Sequence, residues 1–470
     1  MKTIEIPEIL QKMNGIFKSN GYEAYLVGGA VRDMILGKNA SDWDLTTNAT
    51  PEQVQSMFHK VIPTGIAHGT VTVHFMGKEI EVTTYRCEEG FTDGRHPDKV
   101  SYNATLEEDL SRRDFTINAI AASLSDGTIV DPFDGQKDIE RKILRTVGKA
   151  YDRFMEDGLR PIRGIRFAAQ LGFELEEETF AAMMNADVQE KIHSISMERF
   201  RDEVVKLLKS NEPSLGFHLM EKTGILKFFI PELAECRGCT QRDIRGFHEF
   251  DVLDHILYAC DGAPKDNFTV RLAALFHDIG KMEARTVEKY EYPSASGQYV
   301  DIIHFHMHDK YSAQKAKPIL TRLRFPNQLI EKVVHLIEQH MFFFETNWTD
   351  GAVRRFIVRV GKENLEDLFA LRYADEYGGH RRPMDPECKE AKAIEILRQR
   401  TKEVESKNSA LSLKEMAING SDLMKAGIPA GKKIGLILNE LFQMVLEKPE
   451  LNTKEQLLRL AENFSKTSSL

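Results

Sequence analysis

The chain of 470 residues carries 63 Lys and Arg against 72 Asp and Glu, a formal charge of −9, which argues against a protein that coats nucleic acid through overall basic charge. Its 42% hydrophobic and 29% charged content suits a globular chain rather than a disordered one, with length for roughly three domains at about 150 residues each. No run approaches the roughly 20 consecutive apolar residues of a membrane span. Glu5 and Glu8 stand where a signal peptide would be apolar, and five cysteines are too few and too odd for a disulfide framework, so a cytoplasmic protein is expected.

The segment 23–29 (EAYLVGG) reads as a strand ending in two glycines, 30–37 as a helix and 42–47 (DWDLTT) as a second strand. Thr50-Pro51 supplies an N-cap and a first-turn proline for the next helix. The β-branched alternation of 69–75 and 79–86 predicts two strands joined at Met76-Gly77-Lys78. From about residue 137 the helical period dominates, with breaks expected near 210–213, 293–297 and 381–386. The fold class is therefore α+β: a small mixed-sheet head over 1–140, helical segments over 141–210 and 211–385, and a helical tail over 386–470.

Asp42 and Asp44 are two apart on a predicted strand, so both carboxylates project from one face while Trp43 points to the core. Such a pair suits Mg²⁺, which takes a few carboxylate oxygens together with water and substrate phosphates. The plainer alternative is a solvated strand end. Gly28-Gly29 ends a strand and opens a helix, where bare backbone can approach a phosphate, and Arg32 lies in that helix's first turn. Glu81 is either a third carboxylate of this set or a charge on a solvent face.

At this point the sequence resembles the class II tRNA nucleotidyltransferases, the CCA-adding enzymes, and their relatives the bacterial poly(A) polymerases. The resemblance rests on VGGAVRDMILGKNASDWDLTTNATPEQV (27–54), EVTTYRCEEGFTDGRHPDKVSY (81–102), DLSRRDFTINAIA (109–121), MEDGLRPIRGIRFAAQLGF (155–173) and SMERFRDEVVKLL (196–208), in the family's order. It implies a polymerase-beta-like head in which Asp42 and Asp44 bind the catalytic metals. It assigns Gly28, Gly29 and Arg32 to the triphosphate, and Arg113, Asp114 and Asn118 to ribose and phosphates. Arg113 is a fork donor suited to phosphate. A blander reading makes these residues a capping cluster before an apolar helix, INAIAASL.

In the fourth motif Asp157 and Arg160 are three apart, hence neighbours on one helical face. A carboxylate only accepts and a guanidinium only donates. Cytosine and adenine each place an amino donor beside a ring-nitrogen acceptor, so the pair suits both; uracil and guanine reverse the pattern. A surface salt bridge is the alternative. The resemblance gives Arg163 and Arg166 to triphosphate or primer. Pro161 departs from the family pattern and is tolerated only near a helix start.

In the middle of the chain, His255, His277-Asp278, His308, His340 and Asp375 combine imidazole and carboxylate in the mix of a transition-metal site. Their order resembles the HD phosphohydrolase superfamily. That resemblance implies His255, His277, Asp278 and Asp375 as the minimum ligand set of a divalent transition metal, with His308 and His340 as additions. Met307 stands where a glycine is commoner, which leaves His306 as a rival to His308. Cys236 and Cys239 read as a turn near Gly238 rather than a zinc site. The segment 418–447 resembles the tail helices of CCA-adding enzymes, where Gly427, Gly431, Lys432 and Lys433 either face tRNA phosphates or cap helices.

The expected function is template-independent addition of C, C and A from CTP and ATP to tRNA 3′ ends, with Mg²⁺. A poly(A) polymerase, or an enzyme adding only CC or A, is the near alternative. Asp93, Arg95 and His96 argue against the CC-only form. A metal-dependent phosphohydrolase is the alternative of another class. Expected partners are tRNA and the two nucleotides, with no membrane; no protein partner is inferred.

Overall fold

The computed structural model describes residues 3–40, 42–66, 69–90, 99–291, 299–407 and 410–467. Asp93, Arg95 and His96, and the break expected at 293–297, lie outside them. Two compact units divide the chain, Met1–Ala234 and Glu235–Leu470.

The first unit is built on β1 (Ala24–Val27), β2 (Asp44–Thr47), β3 (Val61–Gly65), β4 (Thr70–Phe75) and β5 (Lys78–Thr84). Its later strands are β6 (Cys87–Glu89), β7 (Lys99–Ser101), β8 (Ala121–Ser123) and β9 (Ile129–Val130). Among the described residues one seven-stranded mixed sheet runs β3-β4-β5-β2-β1-β8-β9, and β6 pairs with β7 separately. The expected hairpin forms as β4 and β5, with Val71, Val73, Ile80 and Val82 all buried on the apolar phase of the alternation. Thr50 caps the helix Pro51–Met57 with a reciprocal Gln53 bond, as its sequence predicts.

Two expectations are corrected here. INAIAASL forms no helix: Thr116–Asn118 is a single 3₁₀ turn, and the following alanines enter the sheet as β8. A short run buried on both faces has no period to separate strand from helix. The second correction is that β2 begins at Asp44, leaving Asp42 in the preceding bend.

The second unit is mostly helical, as expected. The helices Val252–Gly262, Phe268–Phe276, His308–Arg322, Asn327–Gln339 and Leu365–His380 surround a buried histidine cluster. An exposed antiparallel hairpin, Arg285–Glu291 with Tyr299–Phe305, interrupts the helices. Helices end on either side of 210–213 and of 381–386, as the breakers there predict. Tail helices bury Leu441, Val445 and Leu457 in a core of their own. Among the described residues no helix is long and apolar enough to cross a membrane.

Candidate functional site

In the first unit, strand register sets the site. Val27 pairs with Asp44 across the antiparallel β1–β2 step, and Asp44 pairs with Glu81 across the parallel β2–β5 step. Paired residues on neighbouring strands share a face, so Asp44 and Glu81 project together. Asp42 comes from the bend just before, where Trp43 Nε1 donates to Ala40 O at 3.0 Å. Trp43 is only partly buried, which corrects its placement in the core. Asp44 is pushed above its usual pKa, first by desolvation and then by Glu81 and Asp42, against the pull of Arg113. Crowded like charges of this kind form a donor set that a divalent cation relieves.

Gly28 follows Val27 and precedes the helix Gly29–Ile35 with φ +72°, open to glycine without strain. A Cβ there would lie 3.1 Å from Arg113 Nη1. The Nε of Arg113 is buried without a hydrogen-bond partner, and Nη2 stands 3.6 Å from Asp109. An orphaned buried donor beside the Asp44 carboxylate is the arrangement a phosphate would satisfy.

The neighbouring polar residues form one chain. Arg32 Nη1 donates to Asn118 Oδ1 at 2.7 Å, and Asn118 Nδ2 donates to Asp114 Oδ1 at 3.2 Å. Arg163 Nε donates to Asp114 Oδ2 at 2.8 Å. Burial alone would raise Asp114, but Arg163 and Asn118 hold it down to about 2. Asp114 Oδ1 also accepts from Phe115 N at 2.9 Å, so local capping and the network share one carboxylate. The guanidinium carbons of Arg32, Arg163 and Arg166 lie 5.3, 5.4 and 3.7 Å from the Phe167 ring centre. Phe167 is thus a cation–π hub; as one apolar residue on an apolar helix face, it carried no signal of this.

The base-reading pair is arranged differently from the continuous helix expected. Helix Ala150–Glu156 ends before Asp157, and a second helix, Leu159–Leu171, starts two residues on. Gly158 sits at the break because a Cβ there would lie 2.3 Å from Lys191 O. Pro161 therefore falls in the first turn of the second helix, where its missing N–H costs little. Asp157 Oδ1 accepts from Leu159 N at 2.9 Å, and Oδ2 accepts from Arg199 Nη2 at 2.7 Å. Arg160 bonds Glu156, Arg153 O at 3.1 Å and Arg112 O at 3.2 Å. Asp157 and Arg160 are close in the chain but held by different partners. Arg166 is buried and pairs with Glu203.

In the second unit, helix ends aim the histidines. His277 and His340 are C-caps, and His308 opens a helix after Met307, which takes the left-handed φ of +60° that glycine adopts more easily. His308 is in the cluster, while exposed His306 stacks on His304 at 5.2 Å outside it. His255 Nε2 lies 2.9 Å from Asp278 Oδ2 and 3.1 Å from His277 Nε2; His277 lies 3.3 Å from Asp375 Oδ1. On the other side of Asp278, Oδ1 is 3.2 Å from His308 Nε2 and 3.8 Å from His340 Nε2.

The Nδ1 atoms of His277, His308 and His340 bond backbone carbonyls at 2.8, 2.7 and 2.7 Å, which leaves each Nε2 free as a ligand. Both Asp278 oxygens and His340 Nε2 are buried without a well-aligned hydrogen bond. Two ligand-capable groups result, His255, His277, Asp278 and Asp375, and Asp278, His308 and His340. A cavity of about 380 Å³ opens onto them, with Lys281, Arg245 and Arg372 in its lining. Lys281 Nζ forms an ion pair with Asp278 at 2.6 Å, and Arg372 forms one with Asp375 at 2.8 Å. Sequence reasoning missed both; each sits three residues from its carboxylate, the helical-neighbour spacing that could have found them. Cys239 N donates to Cys236 O at 3.3 Å in the expected turn, and burial pushes the Cys236 thiol up to about 12, an unreactive state.

Comparison with known proteins places this geometry. Family models match residues 24–145 (Poly A polymerase head domain), 172–237 (RNA and SrmB binding site of polymerase A) and 301–461 (tRNA nucleotidyltransferase domain 2). A CCA-adding enzyme from Oceanobacillus iheyensis is 48% identical over 282 residues, 59% of this chain and 70% of the relative. The chain belongs to the CCA-adding enzyme family. A CCA-adding enzyme from Lactobacillus johnsonii is 46% identical over 228 residues, and the chain spans only 56% of that relative's length. The crystal structure of the Bacillus stearothermophilus CCA-adding enzyme in complex with CTP superimposes with a TM-score of 0.73 at 28% identity, covering 98% of this chain and 99% of that one. Membership of the CCA-adding family implies divalent-metal use, and the histidine–aspartate groups of the second unit carry donors that could hold a metal.

Proposed function

We propose that the chain is a template-independent nucleotidyltransferase that adds C, C and A from CTP and ATP to tRNA 3′ ends. The observation that carries this reading is the pairing of Asp44 with Glu81 across the interior strands β2 and β5, with Asp42 in the bend just before β2, near Arg113, whose Nε is orphaned and whose Nη1 lies beside Gly28. The terminal ribose hydroxyl attacks the α-phosphorus, the bond to the β-phosphate oxygen breaks, and pyrophosphate leaves. Arg113 and the Gly28-Gly29 backbone hold the triphosphate, and Arg32, Asn118 and Asp114 fix its ribose and phosphate surroundings. Asp42 and Asp44, with Glu81 beside them, would hold Mg²⁺, which when bound activates the hydroxyl and neutralises the leaving pyrophosphate.

Asp157 accepts from the exocyclic amino group and Arg160 donates to the adjacent ring nitrogen, selecting C and A. Leaving the two groups unpaired once U or G covers them costs about 1–3 kcal/mol each. A cytoplasmic setting suits the free thiols Cys236, Cys239 and Cys260. The test is incorporation of each labelled nucleotide into tRNA lacking CCA. The CCA reading expects two C and one A; long A tails made without CTP indicate a poly(A) polymerase instead.

A second activity has its own support in the six converging donors of Glu235–Leu470. His255, His277, Asp278 and Asp375, with His308 and His340, would hold divalent transition metal, with Asp278 offering one oxygen to each group. Such a metal, when bound, supplies Lewis-acid activation of water for phosphoester hydrolysis. Lys281 and Arg372 supply positive charge at the cavity for a phosphate. Release of inorganic phosphate from a phosphomonoester by the full chain, lost in Asp278→Asn, tests this reading.

A further inference from the structure

Three arginines gather on one buried ring. Phe167 lies on the helix Leu159–Leu171, where Arg163 is its neighbour one turn back, while Arg32 comes from the separate helix Gly29–Ile35. Each guanidinium already has a carboxylate: Arg32 pairs with Asp33 at 2.9 Å, Arg163 with Asp114 at 2.7 Å, and Arg166 with Glu203. A fourth carboxylate at the centre would cancel positive charge beside the phosphates of a nucleotide. An aliphatic side chain would fill the space and leave the guanidinium faces without attraction. A phenyl ring fills it, attracts guanidinium groups within about 6 Å through its quadrupole, and adds no charge. The ring is itself fixed. Phe115 meets it edge-on with centres 6.0 Å apart, and Gly164 makes room, because a Cβ there would lie 2.8 Å from Phe115 Cζ.

We infer that Phe167 is a positioning residue for the phosphates of the incoming nucleotide, acting through Arg32 and Arg163. The inference rests on the proposed reading of Arg32, Asn118 and Asp114 around the triphosphate. Arg32 donates to Asn118, Asn118 donates to Asp114, and Asp114 accepts from Arg163. The two ends of that chain both lie against Phe167, at 5.3 and 5.4 Å from its centre. The ring therefore closes the chain into a loop. In an open chain the two like-charged ends move apart and carry Asn118 and Asp114 with them. Closed by the ring, all four side chains keep their places before the nucleotide arrives, and less of the binding energy is lost to ordering them.

The test replaces Phe167 in the full chain with mono-, di- and trifluorophenylalanine, which keep the shape of the ring and withdraw its π density step by step. Steady-state kcat and KM for CTP and ATP are measured on tRNA lacking CCA, beside Phe167→Leu, Arg32→Gln and a trifluorophenylalanine control at Phe17, whose ring packs on Phe58 at 5.3 Å. KM is expected to rise with each fluorine at Phe167, by about tenfold in all, while kcat stays within about twofold. The control at Phe17 leaves KM unchanged. A role in packing alone predicts one KM at every step, so a flat series overturns the inference even where Phe167→Leu raises KM. An equal rise in the Phe17 control overturns it too, because fluorine would then act without the arginines. If Arg32→Gln leaves KM unchanged, the reading of Arg32 at the triphosphate and the inference fall together. A raised KM in Arg32→Gln beside a flat series overturns the inference alone. Should Phe167→Leu not fold, the fluorinated series decides by itself.

Discussion

Asp44 and Glu81 stand opposite one another on adjacent parallel strands, and the charge of Glu81 helps to raise the pKa of Asp44. The folded chain thus holds the Asp44 proton more tightly than the unfolded chain does. Without a cation, this site loses stability as pH rises through the ordinary carboxylate value towards the raised one, and the penalty is fully present at neutral pH. Asp44→Asn is expected to melt higher than the parent in EDTA while losing nucleotide incorporation. Mg²⁺ at about 100 times its Kd stabilises the parent by about 2.7 kcal/mol and the variant by less. Thermal melts with and without Mg²⁺ check both; an equal Mg²⁺ response in the variant contradicts the assignment.

Gly28→Ala should damage the triphosphate end of the site. Its φ of +72° costs a non-glycine residue about 1–2 kcal/mol, and the new Cβ crowds Arg113 Nη1. The expected result is a raised KM for both nucleotides with a modest fall in melting temperature. Steady-state kinetics beside a melt separates the two effects.

Asp114 gives a pH prediction of opposite sign to Asp44. Its carboxyl is held down to about 2 by Arg163 and Asn118 despite burial. The stability it contributes is complete above the ordinary value of 3.8 and is lost as pH falls towards about 2. Asp114→Asn leaves Arg163, whose side chain is one-third exposed, without its carboxylate and costs about 1–3 kcal/mol at neutral pH. The difference from the parent should shrink across that acid window in urea titrations. A difference independent of pH would count against the ion pair.

Asp278→Asn should empty both metal groups of the second unit, since each uses this carboxylate. His308→Ala should affect only the group formed with His340 and Asp278. Metal content of the purified full chain, measured by inductively coupled plasma mass spectrometry after loading, should fall to background in the first and only in part in the second. Equal metal content in the parent and Asp278→Asn contradicts the shared-ligand reading.

Much of this site is legible in the sequence because its residues cluster in short motifs. Asp42, Asp44 and Gly28 are close in the chain, Arg113 is marked only by the family resemblance, and β-branched alternation marks β4 and β5. What the sequence hides is set by contacts distant along the chain. Glu81 meets Asp44 only because β5 joins β2 in parallel register. INAIAASL reads as helix because alanine favours helices, yet burial between β1 and β9 makes it a strand. Asp157 and Arg160 read as helical neighbours, but Gly158 breaks the helix to clear Lys191 O. Arg199, more than a domain motif away, then supplies the partner that no local spacing announces. The histidine cluster is legible as a set, and the left-handed Met307 distinguishes His308 from His306 only in three dimensions.

The central claim is tested most directly by incubating tRNA lacking CCA with labelled CTP and ATP, using the full chain and its Asp42→Ala, Asp44→Ala double variant. The account predicts that the parent adds two C residues, then one A, and stops, and that the double variant adds nothing. Survival of incorporation in the double variant, or extension with A when CTP is withheld, would contradict it.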